Sequence, residues 1–292
     1  MNWTYWKPLK LTPGFDRTSL AETLDGGQSF RWVQDPADIW IGQWSDNVVR
    51  IRFSDEGHLE WSTHAELETP DTKDHLLTYL GADTDWESLK DELPWRSDPH
   101  LRKSIEAFPS LRILRQPMEE ALLGFLCSAT KRIVQIKQMC RLLAETVGRE
   151  IAPGYWQLPT FAEIADTDPT NLKICLLGFR AKYIQGTARF LAERPGWLAE
   201  TEALPYPEAK ERLMHLPGVG EKVADCVLLF GAGKLEAFPV DTWIIQTLKK
   251  RYGLDGWTNR QLAQFGRVHY GPAAGLAQQL LFSWERREKS AM

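Results

Sequence analysis

Leu216-Pro217-Gly218-Val219-Gly220 separates two apolar-periodic segments by a connection too short for anything but a tight hairpin. Gly218 and Gly220 permit left-handed backbone and leave the N–H groups around Val219 uncovered. Together with the positive end of the following helix, they make an anion site of the right kind for a phosphate. Lys222 falls in the first turn of that helix, where the dipole disfavours a cation. An amine held there and partly desolvated loses its proton more readily and becomes a nucleophile near neutral pH. Asp241 lies 19 residues further on, in Phe238-Pro239-Val240-Asp241, just ahead of another amphipathic segment. Its position is that of an N-cap. A capped carboxylate is also a rigid one, suited to stabilising positive charge at a reacting centre. On these residues alone a plain helix-helix turn and a plain cap stay open as alternatives.

Such groups need elements to hold them. From about residue 101 the apolar positions recur with helical spacing. Met118, Ala121, Leu122, Phe125 and Leu126 follow Pro117, which suits a first helical turn. Ile133, Ile136, Cys140, Leu143 and Val147 form a second stripe, closed by Gly148. Thr160 with Glu163, and Thr258 with Gln261, have capping-box spacing. Helices over 180–193, 207–215, 221–230, 241–251 and 272–287 complete a mainly helical part. The first third changes period: Val49, Ile51 and Phe53 alternate with Arg50 and Arg52, as in a strand with one buried face. Segments 28–34, 38–44 and 58–62 read as further strands, with Asp55-Glu56-Gly57 as a turn. Residues 66–100 are acidic, with one or two short helices. The expected fold is therefore α+β: a small antiparallel-sheet domain over 1–103, followed by a helical domain over 104–292.

Composition narrows the function classes. Hydrophobic residues make up 43% and charged residues 25% of the 292, ordinary for a soluble globular chain. No stretch has the length and apolarity of a membrane span. Cys127, Cys140, Cys175 and Cys226 form no CxxC pair, and the six histidines show no ligand spacing. Neither a metal nor another cofactor is expected, and a reducing location follows: cytoplasmic, nucleoid-associated, or nuclear in a eukaryote. The net charge of −4 hides a split: the first hundred residues carry 9 Lys+Arg against 19 Asp+Glu, the remainder 26 against 20. The basic part can face phosphate despite the overall sign.

LPGVGEKVADC at 216–226, followed by PVD at 239–241, is similar to the helix-hairpin-helix Gly/Pro–Asp signature of base-excision DNA glycosylases, and specifically to lysine-bearing 8-oxoguanine DNA glycosylases. GQSFRW at 27–32, LRILRQPMEEALLGFLCS at 111–128, LLGFRAKY at 176–183 and AQQLLFS at 277–283 resemble that family's segments in the same order. The resemblance implies a bifunctional enzyme acting on damaged double-stranded DNA as a monomer. Lys222 would attack the sugar C1′ and form a Schiff base, Asp241 supporting the charge that develops. Phe282 and Cys226 would sandwich the extruded base, Gln278 would bind its Watson–Crick edge, and the Gly27 carbonyl would accept the N7–H that distinguishes 8-oxoguanine from guanine. Gly218, Val219 and Gly220 would meet the DNA backbone, with Phe179 and Arg180 at the wedge. The chain departs from the family pattern on the opposite-strand side: Thr130 and Lys131 stand where asparagines are usual, Gln135 where arginine is usual, and Trp243 in place of a histidine. Two other readings are a monofunctional alkylated-base glycosylase, which needs no amine, and a non-catalytic DNA-binding hairpin protein. Iron–sulfur relatives carry four closely spaced cysteines that this chain lacks.

Overall fold

The alternation around Ile51 folds as the middle strand of a sheet. The computed structural model describes residues 2–290. Strands β1 (Lys7–Pro8), β2 (Trp32–Gln34), β3 (Trp40–Trp44), β4 (Asn47–Phe53) and β5 (Leu59–Thr63) form a five-stranded antiparallel sheet in the order β1-β5-β4-β3-β2. Ile51 lies opposite Trp40 on one side and Trp61 on the other, so one face of the sheet is built of large apolar groups. Helices α1 (Arg17–Asp25) and α2 (Thr72–Tyr79) close over that face, and Tyr79 stacks on Trp44 with ring centroids 4.3 Å apart. The Asp16 side chain caps α1 by accepting the Ser19 N–H.

The remaining helices follow in order: α3 (Trp86–Glu92), α4 (Pro99–Ala107), α5 (Met118–Leu126), α6 (Ile133–Val147), α7 (Phe161–Asp166), α8 (Pro169–Ile174), α9 (Arg180–Ala192), α10 (Trp197–Ala203), α11 (Tyr206–Leu213), α12 (Glu221–Phe230), α13 (Thr242–Tyr252), α14 (Asn259–Tyr270) and α15 (Ala274–Ser290). A short hairpin of β6 (Glu150–Ala152) and β7 (Tyr155–Trp156) interrupts them after α6. Both capping boxes form, at Thr160 with Glu163 and at Thr258 with Gln261. Trp86, Leu93 and Leu101 join the helical core although they precede residue 103.

Two anchors position the chemistry-bearing helices. Asp225, buried one turn along α12 from Lys222, accepts from Lys210 Nζ at 2.9 Å and from Tyr206 O–H at 2.7 Å, fastening α12 to α11. Asp98 caps α4 through the Leu101 N–H and accepts the Tyr252 O–H at 2.8 Å, tying α4 to the end of α13. Val227, Leu228 and Leu229 on α12 are fully buried. Truncating Leu228 to alanine would cost about 2–5 kcal/mol.

The sheet unit is latched to α5 by Glu120, whose Oε1 accepts the Ser45 N–H at 2.5 Å from the turn between β3 and β4. Burial, only partly offset by that bond and by Arg31, pushes the Glu120 carboxyl up to about 7. A carboxyl whose folded-state pKa is raised favours folding fully below its unfolded value, near 4.3, and loses that contribution as pH rises through about 7. Wild-type stability should therefore fall between roughly pH 4.5 and 7, by about 3 kcal/mol at most. Glu120→Gln, which keeps the acceptor, should flatten this slope in urea titrations across that range. An unchanged slope would show that Glu120 does not titrate there.

Candidate active site

The hairpin comes first, because it fixes where α12 begins. Gly218 is left-handed, with φ +81. Its missing side chain matters as well: a Cβ there would sit 2.6 Å from Tyr183 Cβ on α9. Gly220 is extended and opens on empty space, so its backbone can be approached closely. Val219 takes a different part. Its side chain is buried in the core and its N–H donates to the Leu216 carbonyl at 3.1 Å, so it anchors the turn. Thr187 Oγ1 donates to the Pro217 carbonyl at 2.9 Å, seating α9 against the hairpin.

Lys222, in the first turn of α12, points back toward α5. Its Nζ donates to Ser128 Oγ at 3.2 Å and lies 5.1 Å from the centre of the Phe125 ring. Ser128 Oγ in turn donates to the Phe125 carbonyl at 2.7 Å, so its lone pairs are aimed at the amine. Asp241 caps α13 as its position suggested, accepting the Ile244 N–H at 2.8 Å. Burial raises its carboxyl above the usual range, opposed by the Ile244 N–H and by the Lys222 charge.

Lys222 and Asp241 line one small cavity of about 40 Å³ with Gly26, Gly27, Phe125, Cys226, Phe230, Pro239, Gln278, Gln279 and Phe282. All four base-pocket residues named from sequence are therefore brought to the two chemical groups. Burial pushes the Cys226 thiol up to about 11, leaving it a neutral, polarisable wall. Phe282 meets Trp243 edge to face, with centroids 6.4 Å apart, so the tryptophan backs the ring from α13. Gly27 is left-handed, with φ +85, and a Cβ there would sit 3.1 Å from Ile133 and 3.8 Å from Phe282. Gln278 is 4% exposed, and its Oε1 is buried without a hydrogen-bond partner. An unmet acceptor of this kind costs about 1–3 kcal/mol unless a ligand supplies the donor. The cavity has room for water-sized groups but not for a purine, so the pocket must widen to take one.

Two residues here escaped the sequence reading. Ser128 holds the amine, and Gln279 Nε2 donates to the Gly26 carbonyl at 3.1 Å, fixing the turn that contains Gly27. Neither carries a periodic or compositional signal.

The opposite-strand side differs from the expectation. Arg180 does not extend outward: it is 3% exposed, and its guanidinium donates to the carbonyls of Leu177 and Ala129 and to Thr130 Oγ1. Gln135 turns back to accept the Arg132 N–H at 3.1 Å, capping its own helix. Phe179 is 54% exposed, as a wedge requires, while Thr130, Lys131 and Arg132 are also at the surface.

The site thus joins a lysine amine and a capped carboxylate in one largely apolar slot, directly behind a glycine hairpin that opens a helix. Residues 13–122 match the model of the 8-oxoguanine DNA glycosylase N-terminal domain, and residues 123–268 match that of the HhH-GPD superfamily of base excision DNA repair proteins. The chain belongs to that superfamily, in the branch that carries this N-terminal domain. It is 30% identical to an N-glycosylase/DNA lyase of Arabidopsis thaliana over 95% of this chain and 79% of that protein. The N-glycosylase/DNA lyase of Saccharomyces cerevisiae is 32% identical over 86% of this chain and 72% of that one. The Clostridium acetobutylicum 8-oxoguanine glycosylase/lyase, solved with duplex DNA containing cytosine opposite 8-oxoG, superposes with a TM-score of 0.85 at 29% identity, covering 99% of this chain and all of that one. Among the described residues no helix is long and apolar enough to cross a membrane.

Proposed function

We propose that this enzyme excises 8-oxoguanine from duplex DNA through Lys222 and then cleaves the abasic strand by β-elimination. The observation that carries this reading is the buried, unpartnered Gln278 acceptor in the cavity that also holds Lys222 and Asp241. The Lys222 amine attacks C1′ of the extruded nucleotide, and the bond from C1′ to the base breaks with its electron pair leaving on the base. The nitrogen sheds its proton, the sugar ring opens, and a Schiff base forms. Loss of a proton from C2′ then expels the 3′ phosphate. Asp241 faces the positive charge that builds at C1′ and on nitrogen, and its cap bond keeps it from swinging away. Phe282 and Cys226 provide the stacking walls, and Gln278 the polar edge. The Gly27 carbonyl accepts N7–H, and Gly218 and Gly220 receive the backbone phosphate. Every group named lies on one chain, so this reading requires no second subunit. An alkylated-base enzyme without an amine nucleophile, or a binding module without chemistry, leaves the Lys222–Ser128 arrangement unexplained.

Borohydride reduction tests the reading: the wild type should be captured covalently on duplex containing 8-oxoguanine and not on undamaged duplex. Absence of capture with intact DNA binding would overturn it. The opposite-strand geometry adds a second expectation. With Arg180 tied inward and Gln135 capping its own helix, at least one bidentate contact to cytosine is missing, worth about 1–3 kcal/mol of discrimination. Single-turnover excision opposite cytosine should thus exceed that opposite adenine by roughly tenfold less than two guanidinium readers would give. A preference as sharp as two such readers provide would show that Lys131 or Arg132 has rebuilt the contact.

A further inference from the structure

Leu176 is the residue of the wedge loop that local stereochemistry explains least. It has φ +58, directly after Cys175, the C-cap of α8. That is the position where glycine enters the left-handed region without penalty and a leucine does not. Nor is the side chain used up in sealing the turn. Leu176 is 54% exposed, whereas Cys175 and Leu177 on either side are fully buried and lock the loop in place. Phe179, three residues on, is equally exposed.

The surroundings hold this strained loop in place. Arg180 bonds the Leu177 carbonyl and Thr130 Oγ1, each at 3.1 Å, stitching the loop to a second left-handed residue, Thr130, at φ +56. Behind it, α9 is seated on the hairpin through Thr187 and the Tyr183–Gly218 approach. Strain that the neighbours over-determine, combined with an apolar side chain left in water, points to function rather than to folding. We propose that Leu176 is a second wedge beside Phe179, inserted into the base stack as the damaged nucleotide leaves it. The proposal rests on the base-extruding reading above. Apolar side chains unstack base steps and occupy the vacated space. A leucine next to an aromatic ring lets one loop fill the gap and brace the neighbouring step.

The test uses Leu176→Gly, which relaxes the turn, and Leu176→Ala, which keeps the strain and removes the wedge. Leu176→Gly should leave the thermal midpoint unchanged or raised. It should slow single-turnover excision of 8-oxoguanine paired with cytosine by roughly tenfold, because extruding a paired base carries the larger cost. Excision opposite an abasic analogue, where no pair has to be broken, should change by less than about twofold. Leu176→Ala should show the same split with a midpoint no higher than that of wild type. A 2-aminopurine beside the lesion gives a readout independent of chemistry: its fluorescence should rise when the duplex is bound and fail to rise with either variant. A lowered midpoint in Leu176→Gly with unchanged excision from the cytosine pair would make Leu176 a helix cap and overturn the proposal, as would equal slowing on both duplexes. A wild type that releases no base would sink the substrate reading instead, and the fluorescence would still decide the wedge.

Discussion

Lys222→Gln should abolish covalent capture on damaged duplex and all base release, while affinity for the same duplex stays within a few-fold of wild type. Glutamine is close to lysine in length and retains a donor for Ser128 Oγ, so the slot stays filled. What disappears is the lone pair that attacks C1′, and no other amine lines the cavity. Nothing in the pocket can substitute, since burial keeps the Cys226 thiol neutral with its pKa at about 11. The loss is therefore one of chemistry rather than a graded decline. Trapping with borohydride on 8-oxoguanine and on abasic duplexes, alongside titration of fluorescent DNA, checks both halves. A captured Lys222→Gln complex would place the nucleophile elsewhere, and collapsed affinity would make Lys222 a binding residue.

Asp241→Asn is the second large effect. Asparagine caps helices about as well as aspartate, so the bond to the Ile244 N–H survives and the fold should lose little stability. The charge facing the reacting centre is gone. Removing one preorganised electrostatic partner typically costs about 100- to 1000-fold in turnover, and affinity should change far less. The pH profile supplies an independent signature. Because burial raises the Asp241 carboxyl, the ionised form needed for catalysis appears only at a higher pH than for an ordinary aspartate. The acid limb of the wild-type rate should lie above the usual carboxylate range and should vanish in Asp241→Asn. Equal losses in binding and turnover, or an acid limb that persists, would leave Asp241 with a capping role alone.

Which parts of this site were legible in the sequence follows from how far each interaction reaches along the chain. The hairpin, Lys222 and the Asp241 cap are local, set by glycines, a dipole and a helix start within a few residues of each other. Helices α5, α6, α9, α11, α12, α13 and α15 announce themselves by period, and both capping boxes by a spacing of three, whereas α8 and α10 are six and seven residues long, too short to show a period. Helix α1 was missed because Arg17–Asp25 mixes Thr, Ser and Glu through its apolar positions. The β6–β7 hairpin was missed because its strands are only three and two residues long. Ser128 and Gln279 reach their partners across 94 and 253 positions, respectively. No window along the chain encodes such pairs. Arg180 shows the converse. Its type suggests an exposed reader, but the left-handed turns at Thr130 and Leu176 fold two loops around its guanidinium.

Gln279 and Gln278 are consecutive on α15, and Phe282 follows one turn later. In the proposed reading, the helix that would face the Watson–Crick edge and one side of the ring is thus also the helix that grips the turn carrying the Gly27 carbonyl. Thermal rocking of α15 would carry along the Phe282 ring, the Gln278 amide and, through the Gln279–Gly26 bond, the Gly27 carbonyl as one frame. The separation between the features that would tell 8-oxoguanine from guanine then depends on a side-chain hydrogen bond of 3.1 Å rather than on how steadily the sheet unit sits against the helices. Discrimination in such a pocket would tolerate breathing of the sheet unit, because Phe282, Gln278 and the Gly27 carbonyl would move together.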